Sequence, residues 1–285
     1  MRRKKAKRQW AGLFFVLPSL LGVIIFLWIP FLDTIRRAFV GSVSGAWAGL
    51  KNFQMVLENE AFGLAVRNTV RFTAICIPLL IVLSLLAALV LQQWGRLGKW
   101  IKSAFLVPMA IPAASVVLLW RLTFHRNGFI NGFLHLFGIT GPDWMNTDAA
   151  FWVLVFSYLW KNLGYDIVLW LAGLSGISRS LYEAARVDGA GKLACFRYIT
   201  LPSLKPSLYT ISVLSFLNSF KVFREAYLVA GDYPQESMYL LQHVFNNWYR
   251  NLDLDKMAAG AALTAVFVFG LILLLKKAWE GGDEL

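Results

Sequence analysis

The protein is 285 residues long, 58% hydrophobic and only 15% charged, with 12 tryptophans and a formal net charge of +12. A soluble domain carries about a quarter charged residues; apolar surface on this scale needs lipid as its solvent, which excludes an ordinary soluble fold. Nucleic acid is excluded as a partner too, because the basic excess is not gathered on one face: six of the 28 Lys and Arg residues, Arg2, Arg3, Lys4, Lys5, Lys7 and Arg8, lie in the first eight positions, and most others in short polar gaps.

In chain order, a basic segment at 1–9 precedes an apolar run at 10–32. That run is read as a retained first helix rather than a cleaved leader, since Asp33, Arg36 and Arg37 separate it from the cleavage-like Ala46-Trp47-Ala48. Further runs follow at 72–91, without a charge; at 103–120, between Lys102 and Arg121; at 149–174, interrupted by Lys161 and Asp166; at 206–230, interrupted by Lys221, Arg224 and Glu225; and at 257–275, closed by Lys276 and Lys277. A spanning helix needs about 20 apolar residues, and an open sheet cannot cross lipid because its edges go unsatisfied. The prediction is therefore an all-α polytopic membrane protein of six spans: a membrane domain at 10–275 and a tail at 276–285. The apolar stretch 129–137 is expected as a short amphipathic helix on the outer surface. Trp10, Trp94, Trp100, Trp120 and Trp279 sit near span ends as interface anchors. His125, His135 and His243 are scattered in outer segments and read as interfacial rather than as ligands. No internal repeat, metal-ligand spacing or phosphate-binding Gly-rich loop is visible, and Cys76 and Cys195 lie too far apart in this layout for a disulfide.

Orientation follows from basic residues in the loops. With the N-terminus inside, segments 1–9, 93–102, 175–205 and 276–285 hold 16 of them, and outer segments 34–70, 125–148 and 231–256 hold seven. Both termini are expected in the cytoplasm, with Arg36 and Arg37 running against the rule.

The inner loop 175–205 is too long and too apolar to be a mere connector. Ser180 and Glu183 have capping-box spacing, so a helix is expected to start there. Ala184 and Ala185 keep one face flat, and Gly189 supplies a turn a side chain would resist. A second helix at about 192–199 should end at Pro202 and Pro206, the latter opening the next span. A knob of this kind either packs on its own bundle or meets a partner.

Glu183-Ala184-Ala185, three residues, Gly189, nine residues, then Ile199, Leu201 and Pro202, resembles the EAA signature of bacterial ABC importer permeases. The fuller string Tyr182-Glu183-Ala184-Ala185-Arg186-Val187-Asp188-Gly189-Ala190, with Phe196, resembles the carbohydrate-uptake branch, the sugar permeases. Gly49 to Phe53 with Asn68-Thr69, Trp160 to Tyr165, Leu171 to Leu174, and Phe220 to Phe223 resemble further stretches of that branch, so the likeness runs from about residue 10 to 275. Asp232 stands where many relatives carry glycine. The resemblance implies a type I ABC importer permease fold in the bacterial cytoplasmic membrane. It implies a second permease subunit, two ATPase subunits and an extracytoplasmic solute-binding protein as partners. It implies no catalysis and no cofactor on this chain, with ATP and Mg held by the ATPase. Glu183, Ala184, Ala185, Asp188, Gly189 and Ala190 would dock on that ATPase, with Ile199, Leu201 and Pro202 completing the signature. The solute implied is a sugar, with glycerol-phosphate or another polyol next.

A charge inside the bilayer must face protein or water. Lys161, Asn162 and Asp166 in the fourth run, and Asn218, Lys221 and Glu225 in the fifth, are therefore candidates to line the solute path. Pairing between helices is the competing role for each; Arg121 and Arg224 are read as snorkelling to the interface. A secondary transporter or channel for a small polar solute would satisfy the same spans, but it gives no role to the inner knob and favours paired repeats. A membrane-embedded enzyme would want a constellation such as paired intramembrane carboxylates, which Asp166 and Glu225, on different runs, do not offer.

Overall fold

The computed structural model describes residues 15–42 and 45–280. The basic segment 1–9, Trp10 and residues 281–285 of the expected tail lie outside the described residues, as does the side chain of Trp279. Among the described residues there is no β-strand beyond the single bridge between Val40 and Trp47. Two compact units divide the chain: Met1–Glu60 with Phe245–Phe269, and Ala61–Val244 with Gly270–Leu285.

In the first unit, α1 (Phe15–Ala38) is apolar over most of its length. Its helix widens into a π turn at Ile24–Trp28, where Ile29 N–H donates to the Ile24 carbonyl. Pro30 follows. A proline lacks the N–H for the fourth carbonyl back and its ring collides with that carbonyl, so a widened turn accommodates it. Near its end Asp33 accepts from Arg36 at 2.9 Å and from Arg37 at 2.7 Å. The two arginines that break the loop-charge rule thus share a carboxylate on their own helix. The chain then turns, stacking Phe39 on Trp47, and Asn52 at the start of α2 (Lys51–Leu57) donates its amide to the Ala38 and Val40 carbonyls.

The second unit is built around α3 (Glu60–Gln93), 34 residues long and so about 50 Å. Its buried positions, Phe62, Ala65, Asn68, Phe72, Cys76, Leu80, Ser84, Ala88 and Leu91, recur every three or four residues and form one stripe. The predicted 72–91 is thus the C-terminal part of a longer helix whose first three turns fall in the expected outer loop. The polar members of the stripe are all used: Asn68 donates to the Glu236 and Tyr239 carbonyls, and Ser84 accepts the Trp170 indole N–H at 3.0 Å.

The predicted third span does not form one straight helix. It splits into α4 (Gly95–Ala110) and α5 (Ala113–Phe124), and the two apolar segments meet at a 94° bend. Ile111 precedes Pro112 and is extended, as the proline ring requires. The short α6 (Phe129–His135) forms inside the stretch expected to be amphipathic and leaves Phe129 and Phe133 exposed. Then α7 (Ala149–Ser175) runs unbroken for 27 residues through Lys161 and Asp166. It packs closely on two neighbours through glycine: a Cβ at Gly164 would lie 1.9 Å from the Phe105 carbonyl oxygen of α4, and one at Gly173 would lie 2.2 Å from Ser207 Oγ.

The fifth predicted run is a chain of pieces. It comprises α10 (Lys205–Ser219), a 3-10 turn at Phe220–Val222, and α11 (Phe223–Ala230). Two helices intervene between α7 and α10 and are described below. The last are α12 (Leu241–Arg250) and α13 (Leu254–Glu280). Among the described residues, three helices qualify as spans by length and apolarity alone, α1, α3 and α13, or four with the bent pair. The charges inside α7 and the break before α11 set those two predicted spans apart.

His243, on α12, is fully buried rather than interfacial. Its Nδ1 accepts the Leu240 N–H at 3.0 Å, and Phe223 and Tyr239 cover its ring. Burial pushes its pKa down to about 4.

Candidate coupling loop and solute cavity

The loop 175–205 folds as two short helices. The first, α8 (Arg179–Val187), is capped by Ser178, whose hydroxyl accepts the Ser180 N–H. This corrects the expected capping box: the helix starts two residues earlier, so Glu183 lies in its middle and caps nothing. Its C-terminus is a Schellman turn, with Ala190 N–H donating to the Ala185 carbonyl at 2.8 Å and Gly189 N–H to the Arg186 carbonyl at 3.1 Å. Gly189 has φ of 81° with open space around it, so backbone conformation alone demands the glycine.

The second helix, α9 (Lys192–Cys195), does not stop before Pro202. It continues through a π turn at Phe196–Thr200 into Leu201–Ser203. Leu201 N–H donates to the Phe196 carbonyl, and the widened turn lies just ahead of Pro202, the same device that precedes Pro30. Tyr182 and Thr200 hydroxyls bond at 2.8 Å and tie the two helices together, while Cys195 and Leu204 are buried beneath them. No residue of α8 is buried. Glu183, Ala184, Asp188 and Gly189 are exposed, Ala185, Ala190 and Ile199 half-buried. Leu201 and Pro202 are exposed, and so are Val187, at 88%, and Leu193, at 80%. The knob is therefore self-supporting on one side and presents a small-residue and apolar surface on the other.

The second site lies between α7 and the α10–α11 break. Lys161 pairs there with Glu225 across the two helices. A cavity of about 210 Å³ opens beside the pair, and Lys161, Asn162, Asn218, Lys221, Arg224 and Glu225 contribute to its wall. Five of the six residues selected from the sequence meet in it. The sixth, Asp166, does not: it is buried and accepts the Ser215 hydroxyl at 2.9 Å. Tyr158 donates to the Ser215 carbonyl at 2.6 Å, so Ser215 is the fixed point between α7 and α10. Arg224 joins the cavity instead of snorkelling away; it stands one turn from Lys221, a spacing that sequence alone offers. Arg121 donates to the Leu228 and Val229 carbonyls at the end of α11.

Among the described residues, apolar helices, an exposed helix–turn–helix knob and a cavity lined by charged side chains fit a membrane permease. A profile of the family described as binding-protein-dependent transport system inner membrane component matches residues 80–277. The chain belongs to that family, whose members are multi-pass inner-membrane permease components of ABC importers. It is 29% identical over 279 residues to the trehalose/maltose transport system permease protein MalF of Thermococcus litoralis, covering 96% of this chain and 95% of that one. It is 30% identical to the inner membrane ABC transporter permease protein YcjO of Escherichia coli, covering 89% and 84%. It is 26% identical to the sn-glycerol-3-phosphate transport system permease protein UgpA of Pectobacterium atrosepticum, covering 94% and 93%. A chain of a bacterial ABC transporter that imports the acidic polysaccharide alginate has the same fold, with a TM-score of 0.85, 23% identity and 97% of each chain covered.

Proposed function

We propose that this chain is one of two permease subunits of an ATP-driven importer that moves a sugar or sugar-like solute inward by alternating access. The observation that carries the coupling is the exposed knob: the whole EAA string falls on one folded unit between α7 and α10, the two helices that frame the cavity. Glu183 and Asp188 meet basic groups of an ATPase subunit; Ala184, Ala185, Gly189 and Ala190 let its backbone approach; Ile199, Leu201 and Pro202 hold the second helix in place. ATP and Mg belong to that separate pair of ATPase subunits. Their closure moves the knob as a rigid body, and the motion passes to the cavity through α7 and α10.

The six crossings are α1, α3, the bent α4–α5 pair, α7, α10 with α11, and α13, with both termini in the cytoplasm. An extracytoplasmic solute-binding protein delivers solute to the outer face. The relatives' names, covering trehalose/maltose and sn-glycerol-3-phosphate, support a sugar or polyol derivative as that solute. Capture of the tagged chain from its native membranes tests the proposal. It should recover a second permease and an ATP-hydrolysing subunit, and Ala185→Trp should lose the ATPase while the chain stays inserted. Capture of the intact chain with no ATPase overturns it.

A further inference from the structure

We infer that the cavity between α7 and the α10–α11 break receives an anionic group, so that the solute is a sugar or polyol carrying a carboxylate or phosphate. The inference rests on the import reading above and narrows its solute. The wall brings together three cations, Lys161, Lys221 and Arg224, and one carboxylate, Glu225. Lys161 and Glu225 neutralise each other as a pair. Lys221 donates to Asn218 Oδ1 at 2.8 Å, a neutral acceptor. Among the described residues neither Lys221 nor Arg224 has a carboxylate within ion-pair distance. Both side chains are exposed at the cavity wall with no protein carboxylate to neutralise them, so they are open to an anion that enters from outside. An Arg–Lys pair beside the Asn218 amide N–H groups is a donor set for an oxyanion, while Asn162, which gives an amide N–H to the Tyr158 carbonyl at 2.8 Å, offers its oxygen to hydroxyls beside it. At about 210 Å³ the space is smaller than the roughly 300–1,000 Å³ of whole-ligand pockets, so it takes one end of a solute or a small one.

A lipid phosphate has the same oxyanion chemistry, and the experiment separates the two sources. The full-length chain, purified in an uncharged phosphate-free detergent, is assayed by equilibrium dialysis against glycerol 3-phosphate, galacturonate, trehalose and lysophosphatidylcholine at matched ionic strength. Glycerol 3-phosphate or galacturonate should bind at least about tenfold more tightly than trehalose, and added salt should weaken it. Lys221→Gln with Arg224→Gln, both exposed positions, should remove that preference without changing the melting temperature. Glu225→Gln should strengthen anion binding by releasing Lys161, which a merely structural glutamate would not do. Equal or tighter trehalose binding, no binding of either anion, or a preference that survives the double variant overturns the inference. Displacement of the soluble anions by lysophosphatidylcholine overturns it in favour of a headgroup site. A trehalose preference leaves the importer reading intact, whereas an intact chain that binds anions and captures no ATPase sinks the importer reading alone.

Discussion

Two residues carry sharp consequences on their own. Gly189 sits at φ 81° with nothing within 4 Å of where a Cβ would be, so its replacement costs conformational energy rather than space. For an L-residue that cost is about 1–2 kcal/mol, less for Asn, which tolerates the left-handed region. Gly189→Val should therefore fray the end of α8 and abolish uptake while insertion is unaffected, and Gly189→Asn should retain part of the uptake; wild-type uptake by the valine variant would end the docking role. His243 predicts a pH dependence. Its folded pKa, about 4, lies below the ordinary 6.5, so between those values the unfolded chain binds a proton that the folded chain refuses. Its contribution is complete above about pH 6.5, falls as the pH drops toward 4, and is flat below; the full loss is roughly 3 kcal/mol. His243→Asn keeps an acceptor for the Leu240 N–H and removes the titration. Its melting temperature, measured from neutral to acid pH, should fall less steeply than that of the wild type, and parallel curves would refute the assignment.

At the scale of elements, the fold depends on how closely α7 approaches its neighbours. The Phe105 carbonyl stands where a Cβ of Gly164 would be, and backbone cannot retreat as a flexible side chain can. Gly164→Val should push α4 off α7 and destabilise the bundle by several kcal/mol, in line with severe overpacking; size-exclusion profiles and melting of the purified chain report it. Gly173→Ala should be milder, because Ser207 Oγ can rotate away. Sequence marked both glycines by resemblance, but their physical reason appears only once α4 and α10 are in position. Much else was legible. Runs free of charge became helices, and two of the charges that break apolarity in the fourth and fifth runs, Lys161 and Glu225, pair with each other. The limits are equally specific. The apolar run at 103–120 gives one expected span, and the 94° bend at Ile111–Pro112 appears only in the folded chain. The turn at Phe220–Val222 carries no proline or glycine to announce it. Capping-box spacing points to Ser180, and only the backbone shows Ser178 to be the cap. Asp166 and Lys161, five residues apart, point roughly 140° from each other on a helix, which is why one lines the cavity and the other is fixed by Ser215.

For the whole molecule, the central fact is that one ion pair joins the helix preceding the knob to the far side of the cavity. Lys161 belongs to α7, which ends at the knob; Glu225 belongs to α11, beyond the break in the fifth run. Removing either partner leaves the other charge unpaired in a buried setting, a loss of about 3–5 kcal/mol, whereas replacing both removes the desolvation cost along with the attraction. Lys161→Met and Glu225→Gln should each lower the yield and melting temperature of the purified chain, and the double variant should recover most of the loss, giving a coupling energy well above that of two independent sites. Stability recovered without transport would separate the two roles of the pair: what holds α7 against α11 can be apolar, but a path that a polar solute crosses cannot. If the double variant were also to transport at the wild-type rate, the pair would be a structural strut and the path would lie elsewhere in the bundle. Additive losses from the two single changes would mean that Lys161 and Glu225 do not sense each other in the folded protein, and the link from knob to cavity through α7 would have to be carried by the buried contacts of Ser215 with Tyr158 and Asp166 instead.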